Sequence, residues 1–330
     1  MVELIIVAVA AALFFDFYNG MNDAANSVAT VIGSRALKPL QAVTLASVGN
    51  FVGPFVFGVA VATTVGKGLI DPNIITLNVV ITGVAGAIVW IATATHYGIP
   101  ISASHTLIGG FVGAGVAAGG MEAIIFEGFN KVLTFMAVSP VAGLLIAFSI
   151  TMLLIRILKH KRPYVINRIF GRLQIGSAAF FSITHGANDG QKTMGIIVAA
   201  LVAGGVLESF YVPYYVIIMA AAAIALGTFV GGYRVIKTMG LRLTALKPYQ
   251  GFCAETGGGV ILTMMAQLGI PVSTTHAIAG SIMGVGATRR LSAVRWGVGR
   301  RMIYAWLITI PASAAMGALA YKIIEITAII

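Results

Sequence analysis

Charged residues are what this sequence lacks most: only 9% of its 330 residues are Asp, Glu, Lys or Arg, whereas 58% are hydrophobic. An average soluble domain is about 25% charged, so this chain cannot cover a water-facing surface. Cysteine is almost absent as well, because Cys253 is the only one. A single cysteine excludes an intramolecular disulfide and a cysteine-ligated metal cluster. The composition therefore indicates a protein whose surface faces lipid.

The hydrophobic residues are grouped in runs of about twenty, the length of helix that spans ~30 Å of hydrocarbon. The runs cover residues 4–34, 40–62, 74–97, 101–120, 131–155, 175–203, 213–232, 250–268, 272–288 and 303–327. Because they lack the alternation of barrel strands, only helices can carry them across a membrane. The sequence thus predicts an all-α polytopic protein of the cell membrane with ten crossings. The residues before the first run include Glu3 but no basic residue. We therefore interpret this run as a membrane span and not as a signal peptide.

Acidic residues are scarce even in this sequence: 10 Asp and Glu stand against 21 Lys and Arg, a net charge of +11. In a soluble protein that excess would suggest nucleic acid as the partner. Here, however, fifteen basic residues lie in three linkers, at 156–172, 234–247 and 289–301. Cytoplasmic loops retain positive charge. We therefore expect these linkers in the cytoplasm, both termini outside the cell, a lipid bilayer around the protein and no nucleic acid partner.

Two motifs from the first half of the chain recur in the second half. Gly98-Ile-Pro-Ile-Ser-Ala-Ser-His105 returns 171 residues later as Gly269-Ile-Pro-Val-Ser-Thr-Thr-His276, and Gly20-Met-Asn-Asp23 returns as Gly186-Ala-Asn-Asp189. Each copy contains five runs, so the second copy enters the membrane from the opposite face. Inverted repeats of this kind are typical of secondary transporters. The predicted organisation is a first repeat at 1–155, a basic cytoplasmic linker at 156–174 and a second repeat at 175–330.

The two Asn-Asp motifs place polar side chains inside apolar runs, where ionisable groups are costly and mark functional sites. A glycine followed by Asn and Asp also favours a helix break, because these residues cap a new helix start. We expect the break and the side-chain oxygens around it to form a cation site suited to Na⁺. The predicted cation ligands are Asp23, Asn26 and Asp189. Asn22 and Asn188 are predicted to contact the phosphate, and their oxygens also lie around the cations. Gln191 and Lys192 are predicted accessory residues. Lys192 is expected to pair with Asp189 one turn away, the alternative being a snorkelling lysine.

Both octapeptides have the composition of a helix start. Proline fits the first helical turn, and the amides that follow it lack intrahelical partners. With the positive end of the helix dipole, nearby hydroxyls form an oxyanion site. The predicted phosphate-binding hydroxyls are Ser102, Ser104, Thr106, Ser273, Thr274 and Thr275. Plain N-capping is the alternative, and it needs one hydroxyl per helix. For His105 and His276, a phosphate contact, a proton relay and simple packing all remain open.

The carboxylates restrict which anion fits this site. Asp23 and Asp189 repel a dianion unless a cation intervenes or the anion donates a hydrogen bond. Hydrogen phosphate has a hydrogen to donate, whereas sulfate has none. We therefore expect cation-coupled phosphate import by alternating access, with a sulfate permease or an anion channel as alternatives. We expect neither enzymatic activity nor a cofactor, apart from Na⁺ as the coupling ion.

The segments Gly20-Met-Asn-Asp-Ala-Ala-Asn26 and Gly186-Ala-Asn-Asp-Gly-Gln-Lys192, with the two octapeptides, closely resemble the inorganic phosphate transporter (PiT) family of sodium- or proton-coupled symporters. The resemblance implies phosphate as substrate, inverted repeats with re-entrant hairpins, and often a homodimer. It also implies twelve membrane segments, which agree with ten crossings if half-helices are counted separately.

Animal members of that family carry an acidic residue on the helix before each hairpin. Here Glu255 holds that position in the second copy, whereas Val84 holds it in the first, and Asn50 stands where an acid is common. Glu255 is therefore a further candidate cation ligand. The choice between Na⁺ and H⁺ as coupling ion stays open.

Overall fold

The chain is built from helices, as its composition predicts. The computed structural model describes residues 1–327, and the last three residues of the predicted second repeat, 328–330, lie outside it. The helices are α1 (Val2–Gly33), α2 (Pro39–Val52), α3 (Ala60–Lys67), α4 (Leu77–Tyr97), α5 (Ala103–Gly119), α6 (Phe126–Leu158), α7 (Pro163–Ala203), α8 (Tyr214–Val230), α9 (Tyr233–Arg242), α10 (Pro248–Gln267), α11 (Thr274–Ala287) and α12 (Trp296–Thr327).

Within residues 1–327, four helices are long and apolar enough to cross a membrane, namely α1, α4, α6 and α12. Two bent pairs meet the same test as single spans: α2 turns into α3 by 80°, and α8 turns into α9 by 73°. The bent pairs occupy the same place in each predicted repeat. Of the segment assigned to the basic linker, only residues 159–162 lie between helices, because α6 and α7 extend into it.

The apolar runs at 101–120 and 272–288 form helices that are shorter than a full crossing. With 17 and 14 residues, α5 and α11 are about 26 and 21 Å long at 1.5 Å per residue, against ~30 Å of hydrocarbon. Both helices are almost completely buried in the protein. An apolar run that is buried by other helices therefore resembles a membrane span in sequence without having its length.

The predicted helix breaks at the Asn-Asp motifs are wrong. Helices α1 and α7 continue through Asp23 and Asp189 without interruption. The glycines serve close packing instead. A Cβ on Gly20 would lie 2.2 Å from the Ile224 carbonyl oxygen of α8, and one on Gly186 would lie 2.3 Å from the Asn50 carbonyl oxygen of α2. The motif glycines thus allow α1 and α7 to touch neighbouring backbones.

Both octapeptides form a tight hairpin between two helices. Gly98 ends α4 and Gly269 follows α10, with φ of 67° and 65°, a left-handed conformation that glycine adopts without strain. Ser102 and Ser273 then begin α5 and α11 with the same extended backbone, at ψ of 112° in each. The repeated sequence therefore has a repeated local structure.

The two halves of the chain pack against each other reciprocally. Helix α5 of the first half packs against α12 of the second, and α11 of the second half packs against α6 of the first. Close contacts between glycine and backbone support both pairs, since Gly113 touches Ala314 and Gly284 touches Leu144. This arrangement brings the N-terminal ends of α5 and α11 together inside the protein, beside α1 and α7.

Candidate functional site

The starts of α5 and α11 are joined by a reciprocal pair of hydrogen bonds. Ser104 Oγ donates to the Val272 carbonyl at 3.1 Å, and Thr275 Oγ1 donates to the Ile101 carbonyl at the same distance. Ser104 matches Thr275, and Ile101 matches Val272, at the repeat offset of 171. Two helix N-terminal ends, each with unpaired amides and a positive dipole end, therefore converge at one buried place.

The two motif carboxylates lie at this same place. Asp23 on α1 and Asp189 on α7 are both 1% exposed. Thr274 Oγ1 is 3.2 Å from Asp23 Oδ2 and 2.9 Å from Asp189 Oδ2. Thr275 Oγ1 is 3.2 Å from Asp23 Oδ1, although it also faces the Ile101 carbonyl. Each hydroxyl has one hydrogen to donate, so the acceptor oxygens outnumber the hydrogens available to them.

Lys192 is the cation of this cluster and pairs with Asp189 as expected. Its Nζ lies 2.5 Å from Asp189 Oδ1, 2.5 Å from Ser104 Oγ and 2.7 Å from the Val272 carbonyl oxygen. These contacts use all three ammonium hydrogens. Lys192 therefore ties α7 to both hairpins, and it has no further hydrogen bond to donate.

His185, which the sequence analysis left without a role, also belongs to the site. Its Nε2 is 3.3 Å from Asp189 Oδ2 and 3.8 Å from Asp23 Oδ2. Its Nδ1 is 3.0 Å from Asn50 Oδ1, and the Asn50 amide donates to Thr228 at 2.7 Å. Nδ1 therefore carries the hydrogen in this bond, and Nε2 faces the carboxylates. Ligand atoms of Asp23, His185 and Asp189 lie within 4.8 Å of one another, which is compatible with a shared cation.

Three asparagine oxygens add to the excess of acceptors. The amide nitrogens of Asn22, Asn26 and Asn188 are engaged, donating to Thr95 at 2.9 Å, to Thr275 at 3.1 Å and to the Leu262 carbonyl at 2.9 Å. Their Oδ1 atoms are buried and have no hydrogen-bond partner among the described side chains and backbone. Unpartnered oxygens of this kind suit a hard cation, whereas an oxyanion needs hydrogen-bond donors.

Three of the six predicted phosphate-binding hydroxyls are engaged in local helix contacts. Ser102 Oγ accepts from the His105 amide at 3.1 Å, and Ser273 Oγ accepts from the His276 amide at 3.2 Å, so both serine side chains are N-caps. Thr106 Oγ1 donates to the Ser102 carbonyl within its own helix at 2.9 Å. Ser104, Thr274 and Thr275 are the hydroxyls that reach the carboxylates, the lysine or the opposite hairpin.

His105 and His276 lie behind the helix starts and contact each other. Their ring centroids are 4.5 Å apart, and His276 also stacks on Trp306 at 3.8 Å. His105 Nδ1 donates to the Trp306 carbonyl at 3.4 Å, and His276 Nδ1 donates to the Met136 carbonyl at 3.3 Å. Both rings line a cavity of about 840 Å³ between α6 and α12. These contacts favour packing among the three roles left open by the sequence.

Glu255 and Gln191 make their hydrogen bonds to residues outside the central cluster. Glu255 accepts from Thr30 Oγ1 at 2.5 Å, from Gln174 Nε2 at 3.0 Å and from the Ser177 hydroxyl. Gln191 Oε1 accepts from the Val61 amide at 2.9 Å, which caps the start of α3. Glu255 is thus a buried carboxylate with three donors, and Gln191 has a structural contact.

Comparisons with known proteins show that the sequence and the fold are similar to those of phosphate transporters. A model described as "Phosphate transporter family" matches residues 19–317. A Rhizobium meliloti protein named "Probable low-affinity inorganic phosphate transporter" is 47% identical over 98% of both chains. A Bacillus subtilis protein of the same name is 40% identical over 98% of this chain and 97% of its own. A solved structure described as "The sodium-dependent phosphate transporter" superposes with a TM-score of 0.89 at 26% identity, over 98% of this chain and 99% of that one. These matches confirm the resemblance seen in the sequence.

Proposed function

Because the chain belongs to the phosphate transporter family, a family of transport proteins rather than enzymes, we propose that it imports inorganic phosphate by cation symport, with Na⁺ as the favoured coupling ion. One observation carries the proposal: two buried carboxylates adjoin two converging helix starts, and three amide oxygens of the same two motifs have no hydrogen-bond partner in the described part of the chain. Such a site has ligands for a cation on one side and for an oxyanion on the other. The similar solved structure is described as a sodium-dependent transporter, which supports Na⁺ over H⁺ as the coupling ion.

The cations are needed to balance charge. Asp23 and Asp189 against Lys192 leave one net negative charge when His185 is neutral. A phosphate dianion beside that charge is repelled by about 4 kcal/mol per pair of unit charges 4 Å apart at an effective dielectric constant of 20. Na⁺ bound to the carboxylate and asparagine oxygens removes this repulsion. Cation binding therefore precedes tight phosphate binding in the proposed cycle.

The role of the two matched asparagines changes in this proposal. Asn22 and Asn188 were expected to adjoin the phosphate, but their amide hydrogens are used by protein acceptors and their oxygens are not. We assign both side chains to cations, together with Asp23, Asn26 and Asp189. Glu255 remains a candidate cation ligand at a separate position.

Phosphate is proposed to bind between the starts of α5 and α11. Ser104, Thr274 and Thr275 supply hydroxyls there, and the unpaired first-turn amides of both helices supply backbone donors. Hydrogen phosphate can also donate its own hydrogen to a carboxylate, which sulfate cannot. This difference is the reason to favour phosphate over sulfate.

Alternating access follows from the proposed arrangement of two inverted repeats, 1–155 and 175–330. The matched hairpins at Gly98 and Gly269, the matched caps and the reciprocal packing of α5 and α11 support that arrangement. We propose that the basic residues of 156–174 face the cytoplasm and that both termini lie outside the cell. A homodimer is proposed on the family resemblance alone.

Uptake of radiolabelled phosphate into proteoliposomes tests the proposal. We expect an inward Na⁺ gradient to drive accumulation above equilibrium, and unlabelled phosphate to compete better than sulfate. Asp23→Asn is expected to abolish gradient-driven uptake, whereas the matched control Glu122→Gln, at an exposed acid of a short turn, is expected to keep it. Accumulation under a pH gradient alone would replace Na⁺ by H⁺, and the absence of accumulation under both gradients would refute symport.

A further inference from the structure

A second group of side-chain oxygens lies on α1 and α7, one to two turns from the central site. Asp16 is completely buried, and its Oδ1 accepts from Asn19 Nδ2 at 3.2 Å. Its Oδ2 and the Asn19 Oδ1 are buried without a hydrogen-bond partner in the described chain, and so is Thr193 Oγ1. Thr193 on α7 is a neighbour of the Asp16 carboxylate. We call these three residues the Asp16 cluster.

The charge of Asp16 has no cationic partner among the side chains that the structure describes. The nearest buried candidate, Lys192, already uses its three hydrogens on Asp189, Ser104 and Val272. A carboxylate inside a membrane protein is costly unless a partner of opposite charge or sufficient hydrogen bonds compensate it. One donor at 3.2 Å does not provide that compensation.

Glu255, another buried acid without a cationic partner, shows how hydrogen bonds alone can compensate a buried carboxylate. Glu255 has three donors around its two oxygens, from Thr30, Gln174 and Ser177. Asp16 has one donor within hydrogen-bond distance, on Oδ1, while Asp16 Oδ2, Asn19 Oδ1 and Thr193 Oγ1 have no partner. Hydrogen-bond donors already satisfy Glu255, whereas a group that accepts electron pairs, such as a cation, would satisfy the oxygens around Asp16. Carboxylate, carboxamide and hydroxyl oxygens together are the ligand set of a hard cation.

The acid and the amide of the cluster have no counterpart in the second half of the chain. At the offset of 166 that relates the Asn-Asp motifs, Asp16 matches Ser182 and Asn19 matches His185. The Ser182 hydroxyl donates to the Ala178 carbonyl of its own helix at 2.7 Å. The second half therefore has no acid at this position, and the site is single.

We propose that Asp16, Asn19 and Thr193 bind an additional Na⁺, distinct from the cations at Asp23 and Asp189. This inference rests on the proposed symport and adds a coupling ion to it. Asp16 lies seven residues before Asp23 on α1, about 10 Å along a helix, towards the N-terminus. A cation at Asp16 is thus placed to enter the protein before, or leave it after, the ions of the central site.

Equilibrium binding of ²²Na⁺ to the purified full-length protein tests the site directly, alongside Na⁺ activation of phosphate uptake. Asp16→Asn is expected to bind one Na⁺ fewer per chain and to lower the Hill coefficient for Na⁺ by about one. Thr193→Val keeps the charge and the side-chain volume, so we expect the same number of ions with roughly 5-fold weaker Na⁺ affinity for one of them. Ser182→Ala, at the matched position of the other half, is expected to behave as wild type.

Two results would overturn the inference without touching the proposed function. One is an unchanged Na⁺ count in Asp16→Asn. The other is a shift only in the pH dependence of uptake, which would show that Asp16 holds a proton. If Asp16→Asn fails to fold, Thr193→Val carries the test alone, and an unchanged affinity in it overturns the site. Failure of wild-type protein to bind Na⁺ at all would instead refute Na⁺ symport itself.

Discussion

Removing Lys192 should expose how strongly the central site is charged. Its ammonium makes three contacts of 2.5, 2.5 and 2.7 Å in a place where it is 2% exposed. Breaking a buried ion pair by removing one partner costs about 3–5 kcal/mol, because the other charge is left uncompensated. We expect Lys192→Met to lower the free energy of unfolding by about this amount, measured by reversible unfolding in mixed micelles without Na⁺.

A double-mutant cycle tests whether this cost comes from the uncompensated charge of Asp189. Asp189→Asn removes the carboxylate, and the double variant Lys192→Met with Asp189→Asn leaves neither charge. We expect a coupling energy of about 2–3 kcal/mol between the two substitutions, at the upper end for contacting residues. An exposed pair with the same spacing, Lys322 and Glu325 at 2.6 Å, is the control. Lys322→Met should cost less than about 1 kcal/mol.

Na⁺ should reverse part of the loss in Lys192→Met. Without the lysine, two carboxylates remain to attract cations, and a ligand that binds only the folded state stabilises it in proportion to ln(1 + [Na⁺]/Kd). Stability in NaCl should therefore exceed stability in choline chloride by more in the variant than in wild type. An equal difference, or additive effects in the double variant, would refute the charge balance on which the proposed cycle depends.

Further predictions concern packing, capping and the unforeseen histidine. Gly20→Ala should lower the midpoint of thermal unfolding, because its Cβ would lie 2.2 Å from a carbonyl of α8, whereas Gly171→Ala, with open space around it, should not; overpacking of this kind costs about 1–3 kcal/mol. Ser273→Ala should cost about 1 kcal/mol of stability as a lost N-cap with little change in the phosphate KM, while Thr275→Ala should raise that KM in uptake assays. His185→Ala should raise the Na⁺ concentration for half-maximal uptake, and an unchanged Na⁺ dependence would remove the ring from the cation site.

The position of the two helix starts could be predicted from sequence, because Ser102 and Ser273 cap them locally and both copies adopt the same hairpin. The prolines were predicted wrongly: Pro100 and Pro271 lie two residues before the N-cap serines, in the hairpin, and not in the first helical turn. The pairing of Lys192 with Asp189 follows equally from helical spacing.

Continuity of α1 and α7 could not be predicted in this way. Glycine, Asn and Asp favour a break when judged by local preference, but Gly20 and Gly186 are pinned against other helices and the polar side chains find buried partners. Tertiary packing decides such positions. The short lengths of α5 and α11 were hidden for a similar reason, since hydropathy does not distinguish lipid from protein as the apolar surroundings.

The position of His185 in the sequence indicated a role in the site, but the comparison of the two copies did not single it out. It stands immediately before Gly186 in the second Asn-Asp motif, but its match in the first motif is Asn19. A search for residues common to both copies therefore passes over it. The same asymmetry separates Lys192 from Asn26 and Asp16 from Ser182, so the chemistry of this site lies largely in the differences between the copies.

The reciprocal packing of α5 on α12 and of α11 on α6 has an evolutionary consequence. A polypeptide with one copy of the repeat would leave the glycine-rich face of α5 without its partner, and Gly113 without the backbone that it touches. In the proposed inverted arrangement, such a half-length chain would complete this packing only by pairing with a second, oppositely inserted molecule. Gene fusion would then have joined two subunits that already depended on each other, and the residues 1–155 expressed alone should still pair rather than persist as a folded monomer.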